Sequence, residues 1–161
     1  MTGTLKNQKI KSNKLKKSKN KYLYPFPKKT MVRGSSYDSP AHVGLFKGAI
    51  DFSVDLGTPT LAPLKGEVVD MVDWNDRYGT TEEFAKDGNY ITLKHANDEF
   101  SQIVHLAKGS SKVKIGDRVE ARQEIALSGS SGWMTEPHLH FFVFKNLPQG
   151  NFKGLEIQFR K

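Results

Sequence analysis

Between residues 22 and 159 short apolar runs are separated by Gly and Pro, and within the runs apolar and polar positions alternate. A two-residue period of this kind belongs to strands with one buried face. Strands are predicted over residues 49–54, 66–74, 89–94, 100–106, 124–128, 138–144 and 155–159. No stretch of a dozen residues keeps a 3.6-residue period, and residues 81–86 have room for a single helical turn. Many short strands between dense turns predict an all-β fold, an antiparallel β-sandwich or open barrel-like hybrid with long loops around a cleft.

The alternation also assigns faces. Ile50, Phe52 and Val54 share one face of their strand and leave Ala49, Asp51 and Ser53 on the other. Leu139, Phe141 and Val143 oppose His138, His140, Phe142 and Phe144. In residues 100–106 the period puts His105 on the face of Ser101 and Ile103. Phe141, Phe144 and Phe159 are read as core, and Trp133, close before the histidine pair, as a wall of the cleft.

Charge divides the chain. Its net charge is +8, but residues 1–33 hold eleven Lys and Arg with no Asp or Glu, leaving 14 basic against 17 acidic side chains in the rest. Residues 6–21 offer only Ile10 and Leu15 as large apolar groups, too little burial to offset the entropy of ordering. Residues 1–21 are therefore expected to form a basic disordered tail, and residues 22–161 one domain. The tail reads either as a solubilising extension or as an electrostatic attachment to an anionic polymer or membrane surface. A mildly acidic body argues against a nucleic-acid scaffold, and no specific nucleic-acid module is legible. No apolar run approaches the roughly 20 residues that cross a bilayer. No apolar signal core follows the lysines, so the expected location is the cytoplasm or, by a non-classical route, the cell envelope. Nothing in the sequence sets the oligomeric state. The absence of Cys excludes disulfides, thiolate metal sites and cysteine nucleophiles.

The chemistry-bearing residues are His and Asp. Of five histidines, two form His138-Leu139-His140. On a strand this spacing sets both imidazoles on one face, about 6.5–7 Å apart at Cα. Both can then reach one ion, or one can bind it while the other faces a ligand beside it. Asp51 interrupts an otherwise strand-like run, Ala-Ile-Asp-Phe-Ser-Val, and a carboxylate there needs compensation. Two histidines and one carboxylate make the donor set of a catalytic zinc site with an open position. His42, in the loop that leads into the Asp51 strand, is the natural third member.

Here the order of motifs resembles the lysostaphin-type (LytM-like) zinc endopeptidases. The resemblance runs through residues 48–54 and 56–69, then 88–95, 100–106, 113–119 and 125–132, and closes with Pro137-His138-Leu139-His140-Phe141. It implies His42, Asp51 and His140 as the ligands of one zinc ion per chain. It implies His105 and His138 as the catalytic histidines, with His95 as a residue of strand packing or the cleft wall. It further implies hydrolysis of peptide bonds in peptidoglycan, cross-links or stem peptides, by a water activated at the zinc and assisted by two histidines. Gly129 and Gly132 would admit a slender peptide. The chain departs from the H-x-x-x-D spacing of many members, since His42 and Asp51 stand nine positions apart. Glu136 also occupies a place where a small residue is common. The alternative reading within the family is a non-catalytic domain that binds or activates at the cell wall. A two-histidine, one-carboxylate iron oxygenase lacks its usual H-x-[DE] start here, and a lipoyl-type module lacks a lysine at the required hairpin tip.

Overall fold

The computed structural model describes residues 14–160. Its strands are β1 (Lys17–Tyr22), β2 (Gly34–Ser36), β3 (Ile50–Ser53), β4 (Pro59–Leu61), β5 (Gly66–Val72), β6 (Tyr78–Gly79) and β7 (Tyr90–Lys94). They continue as β8 (Glu99–Val104), β9 (Arg118–Val119), β10 (Glu124–Leu127), β11 (Gly132–Trp133), β12 (His138–Asn146), β13 (Phe152–Gly154) and β14 (Glu156–Phe159). The helical content consists of short 3-10 turns, one of them Glu82–Asp87, where a helical turn is expected.

The main sheet has the order β2-β3-β12-β8-β7-β5-β9, with β13 paired to the far end of β12. All its pairings are antiparallel. The sheet stays open, so the fold is all-β and antiparallel in its main layer without a closed barrel. β12 is its spine, bonding β8 along one edge and β3 and then β13 along the other. One face of the sheet is apolar, as the alternation predicts: Leu139, Phe141 and Val143 pack with Ile50, Phe52, Ile91, Leu93 and Ile103. Ile125 and Ala126 from the β4–β10 pair, with Tyr22 and Ile157 from the β1–β14 pair, join the same core. The opposite face carries the cleft.

The expected tail boundary is corrected here. Residues 1–13 lie outside the described residues, but Lys17–Tyr22 is a strand, parallel to β14. Lysines occupy its exposed positions while Ser18 and Tyr22 point inward. The buried Glu99 carboxylate accepts the Lys19 N–H (2.6 Å), the Asn20 N–H (3.1 Å) and the Tyr22 hydroxyl (3.0 Å). Low hydrophobicity misled the expectation because this strand is held by one buried carboxylate and one aromatic ring, and neither leaves a mark in local composition.

Candidate metal centre

Register builds the centre. Asp51 on β3 lies directly opposite His140 on β12, and His140 opposite Val104 on β8. One row across the sheet thus brings carboxylate and imidazole side by side on the cleft face. His42 arrives from above, in the connection between β2 and β3. The His42 N–H closes a turn on the Ser39 carbonyl (2.9 Å), and a 3-10 turn, Gly44–Phe46, takes up the long link to Asp51. The nine-residue spacing therefore brings His42 to the same point.

The three donor atoms form a near-equilateral triangle. His42 Nε2 is 3.1 Å from Asp51 Oδ1 and 3.2 Å from His140 Nδ1, and His140 Nδ1 is 3.1 Å from Asp51 Oδ1. His42 Nδ1 is 2.9 Å from the Tyr37 carbonyl oxygen. A carbonyl can only accept, so the His42 proton sits on Nδ1 and Nε2 offers a lone pair. Three electron-rich atoms then share at most one proton, an arrangement that a cation completes. Tetrahedral coordination at zinc–ligand distances of about 2.0–2.1 Å sets ligand atoms roughly 3.3 Å apart, close to the spacing seen. His42, Asp51 and His140 therefore fit a zinc ion, and the carbonyl behind His42 orients it as outer partners of metal-bound histidines do.

Electrostatics agree with the geometry. Burial opposes ionisation of Asp51, but its contacts with the His140 and His42 rings outweigh it and hold the carboxyl well below its usual range. For His42 burial favours the neutral ring, yet the bond to Asp51 and its charge raise the pKa. Burial pushes His140 down.

Beside the triangle stand His105 and His138, their ring centroids 4.4 Å apart. His105 Nδ1 is 2.6 Å from the Ser131 carbonyl oxygen, and His138 Nδ1 is 2.8 Å from that of Glu136. Both therefore carry Nδ1–H, which leaves Nε2 as the ring atom each can use for proton transfer. His138 Nε2 lies 3.6 Å from Asp51 Oδ2. Burial, then electrostatic repulsion from the neighbouring His138 and His140 rings, pushes the His105 pKa down to about 3, so this ring is neutral at working pH.

The alternation misplaces His105. Strand β8 ends at Val104, and His105 has φ +74°, which swings its ring from the core face of Ser101 and Ile103 to the cleft face. Two buried residues that the sequence does not flag hold it there. The His105 N–H bonds the Asn89 carbonyl (3.0 Å), while Ser131 Oγ accepts the Asn89 N–H (3.0 Å) and donates to the Leu106 carbonyl (2.9 Å). They meet His105 itself through backbone carbonyls, which carry no residue type. His95 stands apart from the cleft, bonded to the Lys65 carbonyl and the Ser101 hydroxyl (2.8 and 2.7 Å) and set edge-on to Tyr22.

From His105 and His140 a groove of about 400 Å³ runs along β12. Trp133 forms part of its wall, as expected, with its indole N–H on the Thr80 carbonyl (3.1 Å). Phe144 is corrected from core to groove, sharing the cleft face with Phe142. Gly129 packs against Ala107 instead of lining the cleft, whereas Gly132 lies so close to Gly88 that a Cβ would fall 2.8 Å from the Gly88 Cα.

Comparison with known proteins gives the same picture. The chain is 35% identical over 91 residues to the peptidoglycan DD-endopeptidase ShyA of Vibrio cholerae, covering 56% of this chain and 18% of that protein. It is 40% identical over 93 residues to the glycyl-glycine endopeptidase ALE-1 of Staphylococcus capitis, covering 57% of this chain and 23% of the other. It thus spans less than a quarter of the length of these two relatives. Among solved structures, a zinc-containing peptidase from Vibrio cholerae superposes with a TM-score of 0.57 at 25% identity, covering 85% of this chain and 40% of that one. The model of peptidase family M23 matches residues 46–151, about two thirds of the sequence, and the chain belongs to that family.

Proposed function

We propose that the protein is a zinc metalloendopeptidase that hydrolyses peptide bonds in peptidoglycan. The observation that carries this reading is the donor triangle of His42, Asp51 and His140 beside two histidines whose Nδ1 atoms are both held by backbone carbonyls. A bound zinc ion would supply Lewis acidity and bring the pKa of water toward about 7. The remaining work belongs to side chains. Asp51 and His140, fixed by sheet register, and His42, fixed by the Tyr37 carbonyl, hold the ion. His105 and His138 form the proton relay. One ring takes a proton from the attacking water at Nε2, and the imidazolium so formed passes it to the departing amine. The other, protonated at Nε2, donates that N–H to the carbonyl oxygen as it gains charge. The names of the relatives support peptidoglycan as the substrate class.

The test is zinc-loaded protein incubated with purified peptidoglycan, followed by mass analysis of released fragments and counting of new amine termini. New termini that vanish with a chelator are expected. His140→Ala should lose zinc and activity together, while His105→Ala should keep zinc and lose at least about a hundredfold in kcat. Full activity in a zinc-replete His105→Ala protein would overturn the assignment.

A further inference from the structure

The groove beyond the metal centre has a chemistry of its own. Phe142 and Phe144 follow His140 at two-residue steps on the cleft face of β12, their rings stacked at 5.4 Å. Phe152 of β13 closes edge-on against Phe142 and Phe144 at 6.0 and 5.4 Å. Phe46, on the 3-10 turn between His42 and Asp51, leans on Phe142 at 5.5 Å and on Phe152 at 5.6 Å, yet stays 41% exposed. Gln102, Lys86 and Tyr90 are the polar side chains along this groove outside the histidines and Trp133, and among the described residues no carboxylate lines it. The turn that carries Phe46 belongs to the long His42–Asp51 link by which this chain departs from the short spacing.

Phe142 is itself buried under Phe46, Phe144 and Phe152, and the apolar groove surface that these three present beside the candidate metal centre is covered only when a substrate side chain lies on it. A run of glycine has no such side chain. We propose that Phe46, Phe144 and Phe152, backed by the buried Phe142, form a specificity subsite for a bulky apolar side chain of the peptide substrate, placed about two to four residues from the cleaved bond. The distance follows from the strand. Phe142 and Phe144 lie about 7 and 13 Å beyond His140, and an extended peptide advances about 3.3 Å per residue with every second side chain on one face. The inference rests on the hydrolase reading and adds to it the class of peptide that the same site prefers.

The experiment uses the zinc-loaded full chain and dansylated peptides with one central position occupied by Gly, Ala, Leu or Phe among glycines. Cleavage sites are read by mass and binding by fluorescence polarisation. We expect kcat/KM for Leu or Phe to exceed that for Gly by about tenfold or more, with the apolar residue about two to four positions from the cut. Phe144→Ala should bring that ratio toward one. Phe46→Ala, on a surface turn outside the core, should lower it in the same way. Cleavage at equal efficiency for all four peptides overturns the subsite and leaves the hydrolase reading standing. Binding that favours Leu and Phe with no cleavage, here or on peptidoglycan, sustains the subsite and overturns the hydrolase reading. Neither cleavage nor discrimination in binding overturns both.

Discussion

At the scale of single residues the centre is a set of histidines whose protons are placed by backbone carbonyls. Tyr37, Ser131 and Glu136 each take one Nδ1–H, which leaves three Nε2 atoms for metal or proton work. Burial of these rings has a pH signature. His105 takes up its proton near pH 3 when folded and near 6.5 when unfolded, so between those values the unfolded chain holds the extra proton. Stability then falls on acidification by about 1.4 kcal/mol per pH unit from this group alone. His95 and His140, also lowered, act in the same sense. Asp51, lowered as well, adds to the loss below its ordinary value of 3.8. His42 is raised and opposes them, its contribution being present below 6.5 and lost as pH rises through the raised value. With one histidine against three, the Tm of metal-free protein should fall between pH 6.5 and 4.5. A Tm that is flat or rises toward pH 4.5 would contradict these environments. The identities of these residues were legible in the sequence, since His-x-His and a lone strand carboxylate are rare enough to be noticed. The carbonyls that orient them were not, because any residue type can supply one.

At the scale of elements, register converts the sequence into a site. The pairing of Asp51 with His140 follows from β3 lying beside β12, and both alternations were readable in advance. What alternation could not supply is the reversal at His105. It comes from a left-handed backbone conformation just past the end of β8, supported by the segment 129–132. That segment depends on a close approach of glycines. Gly132 has φ +84°, and an added Cβ would lie 2.8 Å from the Gly88 Cα and 3.4 Å from His105 Nδ1. Gly132→Ala must therefore shift the chain that carries the Ser131 carbonyl, the hydrogen-bond acceptor for His105. The expected result is zinc content unchanged and kcat reduced by roughly tenfold or more, since a displacement near 1 Å at a catalytic group costs that much. Wild-type kcat with full zinc would show that the segment tolerates the side chain and does not set the ring.

At the scale of the whole molecule, charge and cleft are on different layers. The cleft occupies one face of the main sheet, while β1 packs with β14 over the core on the other and turns Lys17, Lys19 and Lys21 outward. Composition alone assigned this segment to a tail because lysines dominate it. Long-range partners make it part of the domain. Ser18 Oγ accepts the Gln158 N–H at 3.0 Å, and Tyr22 is fully buried against Phe141 and His95. Two truncations separate these views. A chain starting at Lys14 keeps every contact described for β1 and should retain its Tm, zinc and hydrolysis. A chain starting at Tyr22 loses the Lys19 and Asn20 donors to a carboxylate that remains buried and loses the pairing with β14 except at Tyr22. Each buried polar group left without its partner costs about 1–3 kcal/mol, more when it is charged. The total should exceed about 3 kcal/mol, a fall in Tm on the order of 10 °C for a domain of this size. Hydrolysis at 37 °C should fall with it and recover on cooling. An unchanged Tm in the shorter chain would mean that β1 is an ornament of the fold and that the basic end is separable from Tyr22 onward.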